Sequence, residues 1–157
     1  MNKKTVRKLA AGRALHLVDV ENLVGASNFT EAQVAMVRNE YFQTVQPGQM
    51  DQFFVASSKH NQLATAFGWP NCQRKFLSGE DGADYLLAKR VIDVLLEGNF
   101  NHVYVASGDH SLADFVDYLQ GHGIKVTVVS LERAISYDMR WSGAEIVYVH
   151  EQYQMAA

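Results

Sequence analysis

Short runs rich in β-branched residues alternate along this chain with longer windows of helical hydrophobic spacing, and this alternation constrains the fold more than any other feature. Strands are predicted over residues 14–20, 50–58, 72–77, 102–107, 124–130 and 145–150. Helices are predicted over residues 30–45, 59–68, 82–97, 108–123 and 131–141. Repeated strand–helix units predict a three-layer α/β sandwich of Rossmann-like type, with a mostly parallel central sheet covered on both faces.

Length and charge distribution predict one domain preceded by a basic arm. A chain of 157 residues can bury a core of its own, and no internal repeat or proline-rich linker divides it. Basic residues are concentrated at the start, where they are Lys3, Lys4, Arg7, Lys8 and Arg13. We expect a basic arm over residues 1–13, either a solvated terminus or a contact for phosphates, and a single domain over residues 14–157.

The hydrophobic stretches predict a cytoplasmic protein with no membrane partner. Arg13 and His16 interrupt the apolar residues that follow the basic arm, so no secretory signal is expected. No segment is long enough for a transmembrane helix. Because Cys72 is the only cysteine, an internal disulfide is impossible and a reducing compartment is the simplest setting.

Acidic side chains cluster where three of the predicted strands end. The first strand runs into VDVENL, the third into SGEDGAD and the fourth into SGDHSLAD. In an open parallel sheet the functional crevice lies beyond the carboxyl ends of the strands, so these segments are predicted to converge on one crevice. The polar residues that they supply are Asp19, Glu21, Asn22, Asp81, Asp84, Ser107, Asp109, Ser111 and Asp114.

Two interpretations of these acids remain open. Asp81 and Asp109 each precede a predicted helix, where an aspartate commonly caps the first turn. A cap needs only one carboxylate, however, and like charges that converge on one crevice persist mainly where a cation neutralises them. Oxygen ligands without thiolates or a histidine pair suit Mg²⁺ or Mn²⁺ better than Zn²⁺. A dinucleotide site is not supported, because no G-x-G-x-x-G motif follows a strand.

Three motifs in this order resemble the NYN domains, a branch of the PIN-like nuclease superfamily. They are VDVEN after the first strand, GADYLLA at the start of the central helix and VYVASGD before the next helix. The resemblance extends from about residue 14 to residue 149 and is closest to compact bacterial single-domain members. It implies a metal-dependent ribonuclease, in which acidic side chains hold one or two divalent ions and water attacks an RNA phosphodiester.

The resemblance also implies roles for individual residues. Asp19 matches the acid of the first strand, Asp84 the acid of the central helix and Asp109 the acid of the SGD motif. These three are expected to be catalytic and to bind Mg²⁺ or Mn²⁺. Asn22 matches the asparagine of a D-x-x-N motif and would orient ligands or water. The supporting set is Asn22, Ser107, Ser111, Asp114 and Asp81, with Glu21 in reserve.

The chain departs from the NYN pattern at two positions. Many relatives carry an acid two positions after the SGD aspartate, where this chain has Ser111, and another six positions into the central helix, where it has Arg90. Asp93 cannot replace the latter, because it lies on the helical face opposite Asp84. A catalytically weakened module that binds RNA or a nucleotide is therefore an alternative. A structural subunit, with a possible homodimer, is another.

The expected partner is single-stranded or looped RNA, because a shallow acidic crevice admits a flexible strand more easily than a duplex. A histidine at a helix start, such as His110, is more often a surface or capping residue than a general base. Candidate phosphate contacts, for each of which surface solubility is the simpler role, are Lys59, Arg74, Lys75 and Arg133. Most aromatic residues at core spacing are expected to pack in the core, and these are Phe53, Phe54, Tyr85, Tyr104, Phe115, Tyr118 and Tyr148.

Overall fold

The computed structural model describes residues 13–77, 93 and 100–151. Its strands are β1 (Ala14–Asp19), β2 (Gln52–Ser58), β3 (Gln73–Leu77), β4 (His102–Ala106), β5 (Lys125–Leu131) and β6 (Glu145–Val149). They form one sheet in the order β3–β2–β1–β4–β5–β6, and every neighbouring pair is parallel. The predicted α/β fold with a parallel central sheet is confirmed.

The described helices are shorter than the sequence pattern predicts. They are α1 (Val20–Val24), α2 (Glu31–Val45), α3 (Gln62–Gly68), α4 (Ala113–Gly121) and α5 (Tyr137–Arg140). The helices predicted over residues 59–68 and 108–123 each begin with a turn of 3₁₀-helix, over Lys59–Asn61 and His110–Leu112. The helix predicted over residues 82–97 lies outside the described residues, except for Asp93, which is helical and half-buried.

The prediction of one helix over residues 131–141 is wrong. Leu131 still belongs to β5, Glu132–Ala134 forms a 3₁₀ turn, and Ile135 is extended with φ −78° and ψ 126°. Helix α5 starts only after Ser136, whose side chain accepts a hydrogen bond from the Met139 N–H. An extended residue interrupts the helical hydrogen-bond pattern, so the segment is two short turns rather than one helix.

Helix α2 begins where its sequence indicates. The Thr30 N–H donates to Gln33 Oε1 at 2.8 Å, and the Gln33 N–H donates to Thr30 Oγ1 at 3.2 Å. This capping box satisfies two N–H groups that the first turn would otherwise leave unpaired. Val34, Val37 and Tyr41 follow at helical spacing and are buried against the sheet.

The core consists of two apolar layers, one on each face of the sheet. On one face, Leu15 and Leu17 of β1 cluster with Val116 and Leu119 of α4. On the other face, Val18 clusters with residues of α2 and with the buried Trp69. Successive side chains of a strand point to opposite faces, so a central strand covered on both sides has every residue buried, as β1 does. Each fully buried leucine contributes about 1.5–3 kcal/mol to this core.

The expected burial of the aromatic residues is confirmed only in part. Phe54 is buried, and Phe53, Tyr104 and Phe115 pack against the two layers. Tyr118 and Tyr148 are instead exposed, because α4 turns Tyr118 away from Val116 and Leu119 and because β6 is an edge strand. Tyr85 lies outside the described residues. The basic arm over residues 1–13 and the domain boundary at residue 14 remain predictions.

The strand order places the functional crevice. From β1 the chain proceeds to β2 and β3 on one side, and from β4 to β5 and β6 on the other. The gap between the carboxyl ends of β1 and β4 is therefore the switch point, where open α/β sheets bind ligands. The predicted neighbourhood of the first and fourth strands is confirmed. In the part of the chain that the structure describes, no helix is long and apolar enough to cross a membrane.

Candidate functional site

Asp19 is the last residue of β1 and lies buried at the switch point. It caps α1, because one of its carboxylate oxygens accepts a hydrogen bond of 3.3 Å from the Asn22 N–H. Its other oxygen accepts a hydrogen bond of 3.2 Å from the hydroxyl of Ser107, which directly follows β4. A carboxylate at a helix start is favoured by the helix dipole. Asp19 thus both caps a helix and faces the end of the neighbouring strand.

Ser107 connects Asp19 to the next acidic residue. Its hydroxyl is fully buried, donates to Asp19 and accepts a hydrogen bond of 3.2 Å from the Asp109 N–H. A hydroxyl has one donor and two acceptor positions, so both contacts can form together. The Asp19 carboxylate and the Asp109 backbone are therefore separated by a single hydroxyl group.

Asn22 fixes the loop that carries Asp109. Its side-chain oxygen accepts a hydrogen bond of 2.8 Å from the Gly108 N–H, and the Gly108 carbonyl accepts one of 2.8 Å from the Ser136 N–H. A Cβ atom at Gly108 would lie 2.5 Å from the Ala134 carbonyl oxygen, which is too close for any other residue. The peptide groups of Gly108 thus connect the ends of β1, β4 and β5.

Asp109 is more open to solvent than Asp19. One of its oxygens accepts a hydrogen bond of 2.9 Å from the Ser111 N–H and lies 3.2 Å from His110 Nδ1. Asp109 therefore caps the 3₁₀ turn that follows, as the capping interpretation predicts. Its side chain is 34% exposed, so capping leaves the carboxylate accessible from solvent. His110, Ser111 and Asp114 are exposed as well.

Glu21 supplies a third carboxylate at this edge of the sheet. Its Oε1 accepts hydrogen bonds from the Ser58 N–H at 2.6 Å and from Asn61 Nδ2 at 3.1 Å, which connects the ends of β1 and β2. Its Oε2 is buried and has no hydrogen-bond partner among the described residues. Leaving such a group unsatisfied costs about 1–3 kcal/mol. Asn61 was not identified from the sequence, because only the sheet order brings it to Glu21.

The chemistry of this edge fits a hard divalent ion. Carboxylate oxygens of Asp19, Glu21 and Asp109 are the ligand type that Mg²⁺ prefers, and the unsatisfied oxygen of Glu21 is an available acceptor. Within residues 13–77, 93 and 100–151, no group of three or more His, Cys, Asp or Glu side chains is close enough to hold a metal ion. Asp81 and Asp84 lie outside the described residues, so the predicted set of three acids stays a prediction.

Comparison with known proteins settles the family. The model of the NYN domain matches residues 15–146. The chain belongs to the NYN domain family. NYN domains are generally PIN-like nucleases, which act on RNA and typically use divalent metals. The crystal structure of a protein of unknown function from Vibrio parahaemolyticus shares the fold, with a TM-score of 0.59 and 18% identity over 88% of this chain and 93% of the other. No curated protein matches the chain.

The candidate phosphate-binding side chains of this NYN domain differ in the contacts that they already make. Lys59 follows β2 and is exposed at the same edge as Asp19. Arg133 forms an ion pair with Glu151 and donates to the Gly25 carbonyl at 3.3 Å. Contact with a phosphate would therefore replace existing bonds at Arg133. The other two candidates, Arg74 and Lys75, lie on β3 in register with β2, and their side chains are outside the described part.

A second polar network of this NYN domain is buried in the middle of β1. The His16 ring lies between the rings of Phe53 and Tyr104, with centroids 4.3 Å and 4.4 Å away and planes within 9° and 7° of parallel. His16 Nδ1 lies 2.7 Å from the Tyr41 hydroxyl, and Nε2 lies 2.8 Å from Asp51 Oδ2. Both ring nitrogens thus have partners, and the sequence pattern did not reveal this network.

The protonation states of this network follow from its surroundings. Burial lowers the pKa of His16, although Asp51 opposes this effect, and burial raises the pKa of Tyr41 well above its usual range. Burial would raise the pKa of Asp51, but hydrogen bonds from His16 and from the N–H groups of Ala14 and Gly48 outweigh it, and the pKa is lowered. At neutral pH, the Tyr41 O–H therefore donates to neutral His16, and His16 Nε2–H donates to the Asp51 carboxylate.

Proposed function

We propose that this NYN protein is a ribonuclease that hydrolyses RNA phosphodiester bonds at the switch point, with Mg²⁺ or Mn²⁺ as its ion. One observation carries the proposal: the buried Asp19 carboxylate and the accessible Asp109 loop meet through the Ser107 hydroxyl. Strand ends at a switch point are where α/β folds place their ligands. Membership of a family that is generally nucleolytic supports the same reaction class.

The proposed roles divide between acids that hold the ion and residues that hold those acids. Asp19, Asp84 and Asp109 would hold the ion, which when bound lowers the pKa of a water molecule and offsets charge on the phosphate. Ser107 orients the Asp19 carboxylate, and Asn22 fixes the loop before Asp109. These hydrogen bonds hold the two described acids in place, and ligands held in this way need little reorganisation to bind an ion.

The remaining polar residues of this edge would support the acids that hold the ion. The Ser111 N–H holds Asp109 in place, whereas Asp114 lies on the exposed first turn of α4. Glu21 offers its unsatisfied oxygen as a further acceptor. Ser111, Asp114 and Asp81 are proposed as supporting residues, and Glu21 stays in reserve because it does not form a metal-binding group with Asp19 and Asp109.

Single-stranded or looped RNA is the proposed substrate. Its phosphates would contact basic side chains, because neutralising phosphates dominates the affinity of proteins for nucleic acids. Lys59 is the stronger of the two described candidates, since Arg133 already binds Glu151 and Gly25. Arg74, Lys75 and the basic arm complete the proposed set.

The test is cleavage of labelled RNA in Mg²⁺, in Mn²⁺ and in EDTA by the wild type and by Asp19→Asn and Asp109→Asn. Asparagine caps a helix as well as aspartate does, so these variants remove charge and keep the caps. Asp117→Asn, at an exposed position of α4, is the matched control. We expect metal-dependent cleavage by the wild type and the control only. Cleavage that persists in EDTA, or in both site variants, would contradict the proposal.

A catalytically weakened module that binds RNA or a nucleotide is the second candidate. Ser111 stands where many relatives carry an acid, and the described residues alone do not assemble three acids around one position. Binding of labelled RNA without cleavage in either metal would favour this module over the ribonuclease. The same wild-type sample therefore distinguishes the two functions.

A further inference from the structure

Two large aromatic side chains, Tyr137 and Trp141, are exposed next to the candidate site. Tyr137 is 76% exposed and Trp141 is 69% exposed, whereas the other tryptophan of the chain, Trp69, is buried. Aromatic residues have much apolar surface to bury, and the two rings together form one contiguous exposed apolar patch, a feature that is found at interaction sites. From this pair we infer a base-binding surface: we propose that Tyr137 and Trp141, called here the aromatic platform, stack against the bases of single-stranded RNA. This inference rests on the proposed ribonuclease function.

The short helix α5 presents the aromatic platform to solvent. Met139 is fully buried, and the Ser136 hydroxyl accepts a hydrogen bond of 3.2 Å from its N–H. Successive helical residues are about 100° apart, so Tyr137 and Trp141 fall on the side opposite Met139. One buried side chain and one cap therefore fix the helix from which both exposed rings project. A surface that is already ordered loses little entropy when it binds.

The aromatic platform adjoins the loop of the proposed active site. The Ser136 N–H, directly before Tyr137, donates to the Gly108 carbonyl, directly before Asp109. The backbone of Ala134 and Ile135 also passes so close to Gly108 that no side chain fits there. An RNA strand whose phosphate lies at Asp109 thus has Tyr137 among the first surfaces that its neighbouring nucleotides can reach.

The geometry and charge of α5 suit nucleotides. The two ring centroids are 6.1 Å apart and the planes are tilted by 49°, so the rings do not cover each other. Arg140 is exposed three positions after Tyr137, on the same side of the helix. An arginine beside an aromatic ring can bind a phosphate while the ring binds its base. Asp138 lies three positions before Trp141 and therefore on the side of that ring, so the phosphate contact is assigned to Arg140 beside Tyr137.

A second copy of the chain is a poorer occupant for this surface. A tyrosine and a tryptophan side chain bury about 150–250 Å² each. A stable protein–protein interface needs about 800 Å² from each partner. The aromatic platform is thus too small for a dimer interface by itself but large enough for one or two bases.

The test is binding of a short oligoadenylate and of an abasic ribose-phosphate oligomer of equal length, both in EDTA so that metal-dependent cleavage cannot occur. We expect Tyr137→Ala and Trp141→Ala each to lower oligoadenylate affinity by about tenfold and to leave the abasic affinity unchanged. Phe67→Ala is the matched control, because Phe67 is 66% exposed and lies on α3, which packs on the other face of the sheet. Oligoadenylate should also quench the emission of Trp141.

The outcomes separate this proposal from the ribonuclease. Equal oligoadenylate affinity in the wild type and both variants would overturn the aromatic platform. A wild type that binds the abasic oligomer as tightly as oligoadenylate would overturn it too. A change in oligomeric state caused by Trp141→Ala would also overturn it, because the surface would then bind a second copy of the chain. If the variants weaken oligoadenylate binding as expected while Asp19→Asn still cleaves RNA, the platform stands and the proposed active site fails.

Discussion

Strand β1 carries two polar networks three positions apart, and they differ in how far they are closed. At His16 both ring nitrogens have buried partners, and aromatic rings cover both faces of the imidazole. At Asp19 the partners belong to a loop that ends in the accessible Asp109. One strand thus provides a closed network in its middle and an open one at its carboxyl end.

The balance of donors and acceptors explains the difference. In the closed network each donor meets one acceptor, from the Tyr41 hydroxyl through His16 to Asp51. The open network places two carboxylates, Asp19 and Asp109, on either side of one Ser107 hydroxyl, and the neighbouring Glu21 retains an oxygen without a hydrogen-bond partner among the described residues. A matched chain of hydrogen bonds stabilises the fold. A surplus of carboxylate oxygens instead favours binding of a cation.

Removing one charge from the open network should have the largest effect. We expect Asp19→Asn to lower the rate of RNA cleavage by more than about 100-fold, since loss of even an outer partner of a metal ligand costs about 10- to 100-fold. The free energy of unfolding should fall by only about 1 kcal/mol, because asparagine still caps α1 but its amide group cannot accept the hydrogen bond from the Ser107 hydroxyl. Cleavage assays and urea unfolding measure the two quantities. An unfolded variant would contradict this separation of roles.

Breaking the closed network should do the opposite. We expect His16→Ala to lower the free energy of unfolding by about 2 kcal/mol, because it leaves the Tyr41 hydroxyl and Asp51 without their partner. The cleavage rate per folded molecule should stay close to that of the wild type. His110→Ala, at an exposed histidine, is the control for stability alone and should leave the free energy of unfolding unchanged. Equal stability of the two variants would show that the His16 network does not stabilise the fold.

A smaller effect is expected where the open network holds its loop. Asn22→Ala removes the acceptor for the Gly108 N–H and should lower the cleavage rate by about tenfold, the lower end of the cost of losing an outer partner. Asn28→Ala, at an exposed asparagine, should have no effect. Rate measurements on the two variants suffice. A tenfold loss in both would mean that the loop is not held by Asn22 in particular.

Acid should weaken the closed network gradually. The pKa of His16 is lowered from 6.5 in the folded state, so the unfolded chain takes up a proton first and stability falls as pH drops below 6.5. Asp51, whose pKa is lowered from 3.8, adds to this loss in stronger acid. Urea unfolding at about pH 7 and about pH 5 measures the dependence.

Variants of two histidines show which side chain causes this loss of stability in acid. His16→Gln should reduce it more than His102→Gln does, although burial lowers the pKa of His102 as well. His102 is only partly buried, so it loses less solvation than His16 on folding. If both variants keep the wild-type dependence, protonation of His16 does not govern acid sensitivity.

The periodicity of the sequence predicted the sheet well, because side-chain alternation and β-branched runs are local signals. Each predicted strand starts and ends within two residues of the observed one. Sheet order was accessible too, since strand–helix repeats favour a parallel sheet with a switch point. The convergence of Asp19 and Asp109 follows from that order, because their strands are neighbours.

Contacts that depend on close packing between loops could not be predicted in this way. The interruption at Ile135 reflects the approach of residues 134–135 to Gly108, and the partners of Glu21 lie 37 and 40 positions further along the chain. The exposure of Tyr137 could not be predicted either, because a helix of four residues is too short to show a hydrophobic period. Such features depend on which loops meet, and local composition carries little information about that.

Gly108 has a consequence for how this protein can evolve. Its N–H contacts Asn22, its carbonyl contacts Ser136, and the backbone of residues 134–135 occupies the space of a side chain. Substitutions at these positions should therefore be epistatic: each alters the cost of the others instead of adding to it. A lineage that replaced Gly108 would first have to move the segment before α5. We therefore expect the segment that carries the aromatic platform and the acidic loop to change together in evolution.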